Sequence, residues 1–153
     1  MPSLADHFHR PGFTLRRLRR SDYPVVVPLI NDAFSYQDAA RGGETRTNPK
    51  HLEWLDGITE FYVILEGDEI VGCVHTEPEG NGVFFGLLTV VPQLRKTGLA
   101  RAVITAVENY SRALNAECVR LGVMSISPWL KHYYERLGYS ATGKVEPRQG
   151  IDI

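Results

Sequence analysis

VFFGLLTVVPQLRKTGLARAVI, residues 83–104, changes character halfway along. Its first nine residues are apolar at almost every position. That predicts a central strand covered on both faces, not a half-exposed strand of alternating polarity. Gly86 within it marks a bulge or a close backbone approach. After Pro92 the apolar run stops, and Leu99, Val103, Ala106, Tyr110 and Leu114 recur at helical spacing. Between strand and helix stand Arg95, Lys96, Thr97 and Gly98.

That junction has chemistry of its own. A helix starting near Gly98 leaves its first backbone N–H groups without intrahelical partners. They carry partial positive charge and can hold a phosphate. Gly98 has no Cβ to keep a ligand away, and Ala100 has little more. Arg95, Lys96 and Arg101 add positive charge around it. The same residues also suit an ordinary strand-to-helix turn with a solvated basic edge, and both readings stand at this point. A nucleotide P-loop is excluded, because Lys96-Thr97 lacks the glycine that must precede it. The G-x-G-x-x-G dinucleotide fingerprint occurs nowhere in the chain.

Outward from this centre the elements follow in order. FTLRRLRR, from Phe13, opens as a strand. Ser21 is placed to cap a first helix, with Asp22 in its first turn and Pro28 predicting a kink. Asn48-Pro49 is placed to cap a second helix through KHLEWLDG. EFYVILEG and DEIVGCVHTE flank Gly67-Asp68 as a hairpin, and PEGNG forms the next turn. Beyond the long helix, ECVRLGVM is a strand. Ser127-Pro128 opens a last helix that Gly138 ends, and YSATGKV is a further strand. The order β-α-α-β-β-β-α-β-α-β predicts a mixed α/β (α+β) fold, its antiparallel strands preceding strand–helix–strand units.

Bulk properties narrow the function. The 153 residues fit one domain, residues 1–153, with 1–12 expected to be flexible. Formal net charge is −1, without the basic excess of a nucleic-acid binder. RRLRR straddles a strand end and a helix start, so it reads as a solvated face. Cys73 and Cys118 share no metal spacing and read as reduced thiols carried on strands. His7 and His9 have no third ligand nearby, so no metal site is expected. No signal peptide or membrane span is evident, and a reducing, cytoplasmic setting is the expectation.

LLTVVPQLRKTGLARAVI resembles the acyl-CoA-binding motif of the GNAT superfamily of N-acetyltransferases, V-x-P-x-x-[RQ]-x-x-G-x-[GA], with Arg95, Gly98 and Ala100 at its key positions. SPWLKHYYERLGYSATG is similar to the family's late helix and following strand, N-x-x-A-x-x-x-Y-x-x-x-G-F, through Tyr134, Gly138 and Tyr139. Leu15-Arg16 with Asp22 resembles its opening strand and helix. The likeness spans about residues 13–145. It implies a GNAT-like, mostly antiparallel sheet of six to seven strands with about four helices.

It further implies acetyl-CoA as cosubstrate and a primary amine as acceptor. Backbone groups of Leu88, Thr89 and Val90 would line the pantetheine arm. Arg95, Lys96, Thr97, Gly98, Leu99 and Ala100 would wrap the pyrophosphate, with Arg101 adding charge. Tyr134 would be the general acid. Neither motif holds a cysteine, so direct attack in a ternary complex is the expected mechanism, and a homodimer is compatible with it. Two departures stand out. Ser127 replaces the common Asn as a cofactor contact, and the family's last strand is not evident after about residue 145. A catalytically weak acyl-CoA-binding or regulatory domain therefore remains the alternative. His75, Glu77 and Glu79 are the nearest candidates for a base, though their simpler reading is a polar turn, and water can carry the proton instead. Asp38 and Glu44, in the loop between the first helices, can attract a cationic amine or simply face solvent.

Overall fold

The computed structural model describes residues 3–123 and 127–142. Its contacts divide into two compact units, residues 3–33 with Thr47–Leu121, and Phe34–Arg46 with residues 122–123 and 127–142.

The first unit is built on one sheet. Strands β1 (Phe13–Arg17), β2 (Glu60–Glu66), β3 (Glu69–Glu79), β4 (Gly82–Val90) and β5 (Cys118–Arg120) lie side by side in sequence order. β1 to β4 run antiparallel, and β5 joins β4 in parallel after a helical crossover. Gly67, left-handed at φ 60°, turns β2 into β3. Gly80, at φ 56°, turns β3 into β4.

Three helices complete the unit: α1 (Tyr23–Ala33), α2 (Pro49–Ile58) and α3 (Leu99–Ala113). α1 packs on β3 and β4, α2 on β2 and α1, and α3 on β4 and β5. β4 is buried along nearly its whole length, as its two apolar faces require. Leu99, Val103, Ile104, Ala106, Val107 and Tyr110 form the buried stripe of α3. Asn48 caps α2 as expected, its side chain accepting the His51 amide at 2.9 Å.

The entry to α1 differs from expectation. A 3-10 turn, Arg20–Asp22, leads into the helix, and Asp22 rather than Ser21 supplies the side-chain acceptor. Its carboxylate takes the Arg19 amide at 2.7 Å and both Arg16 nitrogens at 2.7 and 2.9 Å. Burial would raise the Asp22 pKa, but the Arg16 hydrogen bonds outweigh it and hold the group below the usual carboxylate range. Pro28 lies inside α1.

The second unit carries two short 3-10 turns (Ser35–Gln37 and Ala39–Arg41) and the helix α4 (Pro128–Arg136). Four helices thus match the expected number among the described residues, but the sheet has five strands instead of six or seven. Among the described residues ECVRLGVM contributes strand pairing only at Cys118–Arg120. Tyr139, Ser140, Ala141 and Thr142, expected to start a sixth strand, form none; the rest of YSATGKV, and the segment after about residue 145 where no last family strand was expected, lie outside the described residues. The physical reason is local. Gly138 directs Tyr139 back onto α4, not outward into a ladder, as described below.

The first residues, expected to be flexible, carry a 3-10 turn at Ala5–His7, with Leu4 and Phe8 buried.

Candidate active site

β4 does not pair evenly with β3. Cys73 lies opposite Thr89 and His75 opposite Gly86, so Val74 faces two residues, Leu87 and Leu88. This is a bulge, and Leu87 adopts the left-handed region at φ 50°. At the bulge the Leu87 carbonyl accepts from two side chains. Thr89 Oγ1 donates to it at 2.9 Å and the Cys73 thiol at 3.5 Å. Burial pushes that thiol up to about 12. Gly86 does the other thing expected of it: a Cβ there would meet His75 Nε2 at 2.6 Å, so the imidazole lies over β4. The His75 ring sits between Phe61 and Phe84, with centroids 5.6 and 6.1 Å away.

Beyond the bulge, Val91 N donates to Val71 O at 2.9 Å and Gly72 lies opposite Val90. Bonded and non-bonded positions alternate in an antiparallel ladder, so the Val90 amide turns away from β3. On that side β5 pairs only with Gly82, Val83 and Phe84. Thr89 and Val90 are buried, and Leu88 is half-buried.

A 3-10 turn, Pro92–Leu94, ends the strand, and residues 95–98 form an exposed loop. Lys96 and Gly98 are both left-handed, at φ 63° and 87°. Gly98 occupies the N-cap position of α3, and no side chain caps the helix. The first intrahelical bond runs from Ala102 N to Gly98 O at 3.0 Å, so the amides of Leu99, Ala100 and Arg101 have no partner within the helix. Leu99, 1% exposed, anchors this start in the core while Arg101 stays exposed. The basic residues Arg95, Lys96 and Arg101 make no ion pair among the described residues. The predicted seat is therefore a helix start without a side-chain cap, with Arg95 and Lys96 in the loop before it and Arg101 in its first turn.

One residue here escaped the sequence reading. Arg10 Nη2 donates to the Thr97 carbonyl at 2.6 Å, and Nη1 would lie 3.3 Å from a Cβ on Gly98. The signal was present as R-P-G-F. Proline followed by left-handed Gly12 is a turn signature, and Phe13 N closes the turn on Arg10 O at 3.0 Å.

In the second unit, Tyr134 sits in the last turn of α4. Gly138, at φ 98°, donates to Glu135 O, and Tyr139 N donates to Tyr134 O, both at 3.0 Å. This pair of bonds is a Schellman cap, and the rings of Tyr134 and Tyr139 meet edge to face across it at 5.8 Å. The Y-x-x-x-G-Y pattern is thus a helix stop that holds a tyrosine. Tyr133 lies against Tyr134 on its other side, at 5.2 Å. Desolvation, with smaller contributions from Tyr133 and Tyr36, raises the Tyr134 pKa well above the ordinary phenol value. Tyr36 also meets Trp129 edge to face at 5.4 Å. Ser127, the N-cap residue of α4, is fully buried and its Oγ makes no hydrogen bond among the described residues. The helix start thus leaves one buried hydroxyl for another partner.

The first unit also holds a cavity near the far end of α3, lined by Thr59, Glu60, Thr76, Tyr110 and Leu114 among others. Glu60 there accepts the Tyr110 and Tyr62 hydroxyls at 3.3 and 3.4 Å. Of the candidate residues read from sequence, Glu77, a candidate base, lines it; the cofactor-site candidates and Tyr134 do not. Among the described residues no group of three or more His, Cys, Asp and Glu side chains is arranged to hold a metal ion, and no helix is long and apolar enough to cross a membrane.

Solved structures with the same architecture include Ard1 from Thermoplasma volcanium (18% identity, 92% of this chain and 93% of that one, TM-score 0.70). An acetyltransferase from Trypanosoma brucei matches with 20% identity over 89% of this chain and 97% of its own, at a TM-score of 0.61. An N-acetyltransferase from Staphylococcus aureus does so with 13% identity over 86% and 85%, at 0.66. At these identities the likeness is one of fold. No curated protein matches the chain. The family model described as an acetyltransferase (GNAT) domain matches residues 31–153, which includes β4, the loop 95–98, α3 and the α4 cap. The bulged strand, the uncapped helix start and the whole-chain fold therefore agree with that match, and the chain belongs to the GNAT acetyltransferase family, whose general chemistry is acyl transfer.

Proposed function

We propose that the chain, as a single domain over residues 1–153, transfers an acetyl group from acetyl-CoA to a primary amine by direct attack in a ternary complex. The observation that carries this reading is the helix start at Gly98. It offers amides without intrahelical partners, and three cations that make no ion pair among the described residues, to an anion in the family's cofactor position. Residues 95–100 wrap the pyrophosphate through the main chain, and Arg101 adds charge. Backbone groups of Leu88, Thr89 and Val90 line the pantetheine arm, with the outward-turned Val90 amide available to polarise the thioester carbonyl. The buried Ser127 hydroxyl supplies a further polar contact to the cosubstrate. A reducing, cytoplasmic setting suits the two free thiols.

In the reaction the neutral amine nitrogen forms a bond to the thioester carbon and the C–S bond breaks. The amine proton leaves to water or a nearby base. Tyr134 protonates the departing thiolate and regains its proton from solvent. A phenol with a raised pKa is a poor acid toward a thiolate in water, where free thiols titrate near 8.5. Burial acts on the thiol in the same direction, as Cys73 of this chain illustrates at about 12. A leaving thiolate held out of water is likewise a stronger base, which offsets the weakened acid.

Saturating acetyl-CoA should raise the melting temperature; an unchanged melting curve would sink the reading. A panel of amines scored by free-thiol release then finds the acceptor.

A further inference from the structure

We propose that Arg10 is a positioning residue of the acyl-CoA seat, and that the N-terminal segment is part of that site. The proposal rests on the acyl-CoA reading above. Arg10 reaches a loop 87 residues away in sequence, where its Nη2 lies 2.6 Å from Thr97 O. The segment that carries it is docked. Leu4 is fully buried and Phe8 nearly so, and the His7 ring lies 6.0 Å from Tyr110 of α3. The Pro11-Gly12 turn then fixes where the Arg10 side chain starts.

The consequence follows from peptide geometry. In a trans peptide the C=O of Thr97 and the N–H of Gly98 point in opposite directions. Holding the carbonyl therefore aims the Gly98 amide. Gly98, at φ 87° and ψ 4°, has the freedom to let this peptide rotate. An unrestrained flip would turn a carbonyl dipole toward the anion in place of an amide. The guanidinium, through a charge-assisted bond, opposes that flip. The carbonyl of Leu94, at the end of the preceding 3-10 turn, accepts the Thr97 hydroxyl. Both bonds keep oxygen lone pairs occupied in and beside the loop.

The test uses the full chain and three probes: the Gly98 amide resonance, acetyl-CoA, and acetyl-pantetheine, which lacks the phosphates. Arg10→Met should move the Gly98 resonance, speed its exchange, and weaken acetyl-CoA roughly tenfold, while acetyl-pantetheine binds as to the parent. Arg10→Lys, which keeps one donor, should recover part of the loss, and it carries the test alone if Arg10→Met does not fold. A double-mutant cycle with Gly98→Ala should be less than additive, because both changes disturb one peptide unit. An unmoved Gly98 resonance with unchanged acetyl-CoA affinity overturns the proposal. So does an equal loss for both ligands, which would make Arg10 a general structural support. If the parent ignores acetyl-CoA yet its Gly98 amide responds to Arg10→Met, the acyl-CoA reading fails and the brace stands.

Discussion

Gly98 opens α3 and Gly138 closes α4 with nearly the same left-handed backbone, φ 87° and 98°. At Gly138 two hydrogen bonds consume the last carbonyls of the helix, and the rings of Tyr134 and Tyr139 close over the turn. At Gly98 nothing caps the helix, and polar groups remain exposed. A satisfied terminus fixes a side chain; an unsatisfied one offers its backbone to a ligand. In the proposed reaction the first region supplies chemistry and the second affinity, so variants in the two should separate kcat from cosubstrate binding.

The largest expected effect is at Tyr134. Tyr134→Phe keeps the ring contacts and removes the proton. Turnover should fall about 100-fold with acetyl-CoA affinity unchanged, measured by thiol release and calorimetry. Parent-like turnover would end the acid role. The raised pKa also predicts a pH profile. The phenol stays protonated through its ordinary range, so Tyr134 ionisation should cause no loss of kcat up to about pH 10.

Gly98→Ala comes next. The left-handed backbone resists a Cβ, which would also press on Arg10. Acetyl-CoA should bind roughly tenfold more weakly while kcat at saturation is kept. A loss confined to kcat would erase the contrast between the two regions.

Asp22→Asn touches neither region and sets the baseline for simple destabilisation. It removes the charge partner of Arg16 and should cost about 2 kcal/mol in urea unfolding, with kinetics unchanged in the folded fraction. Because the native Asp22 pKa is lowered, the native state binds fewer protons than the unfolded chain. This stabilisation is present above about pH 4 and is lost as pH falls through the native value. The variant should therefore show a shallower acid transition.

Gly138→Ala is the smallest. Among the described residues no atom lies within 4 Å of the new Cβ, which leaves backbone strain of about 1 kcal/mol. Since the cap holds Tyr134, kcat should drop a few-fold and acetyl-CoA affinity should not. Thermal unfolding and steady-state rates on one preparation check both.

Much of this was legible in residue order. The two-faced apolar run made β4 central, the period of 99–114 made α3, and Asn48-Pro49 and Gly138 marked helix ends. Each depends on forces acting over a few residues. The bulge was half legible. Gly86 signalled an irregularity, but the left-handed residue is Leu87, because the glycine is needed for the His75 ring from β3. Ser21 misled as a cap because Asp22 has Arg16 on the adjoining strand to complete it.

By itself, then, the sequence determined the four helices and the first four strands, where the bare helix start falls, and which tyrosine precedes the glycine stop, but it overstated the last strands. These are matters of periodicity and local backbone preference. Tertiary structure alone decided that Arg10 holds Thr97, that side chains of β3 and β4 satisfy the Leu87 carbonyl, and that desolvation raises the Tyr134 pKa. Those outcomes depend on groups far apart in the chain meeting out of water, and no local pattern records which groups will meet.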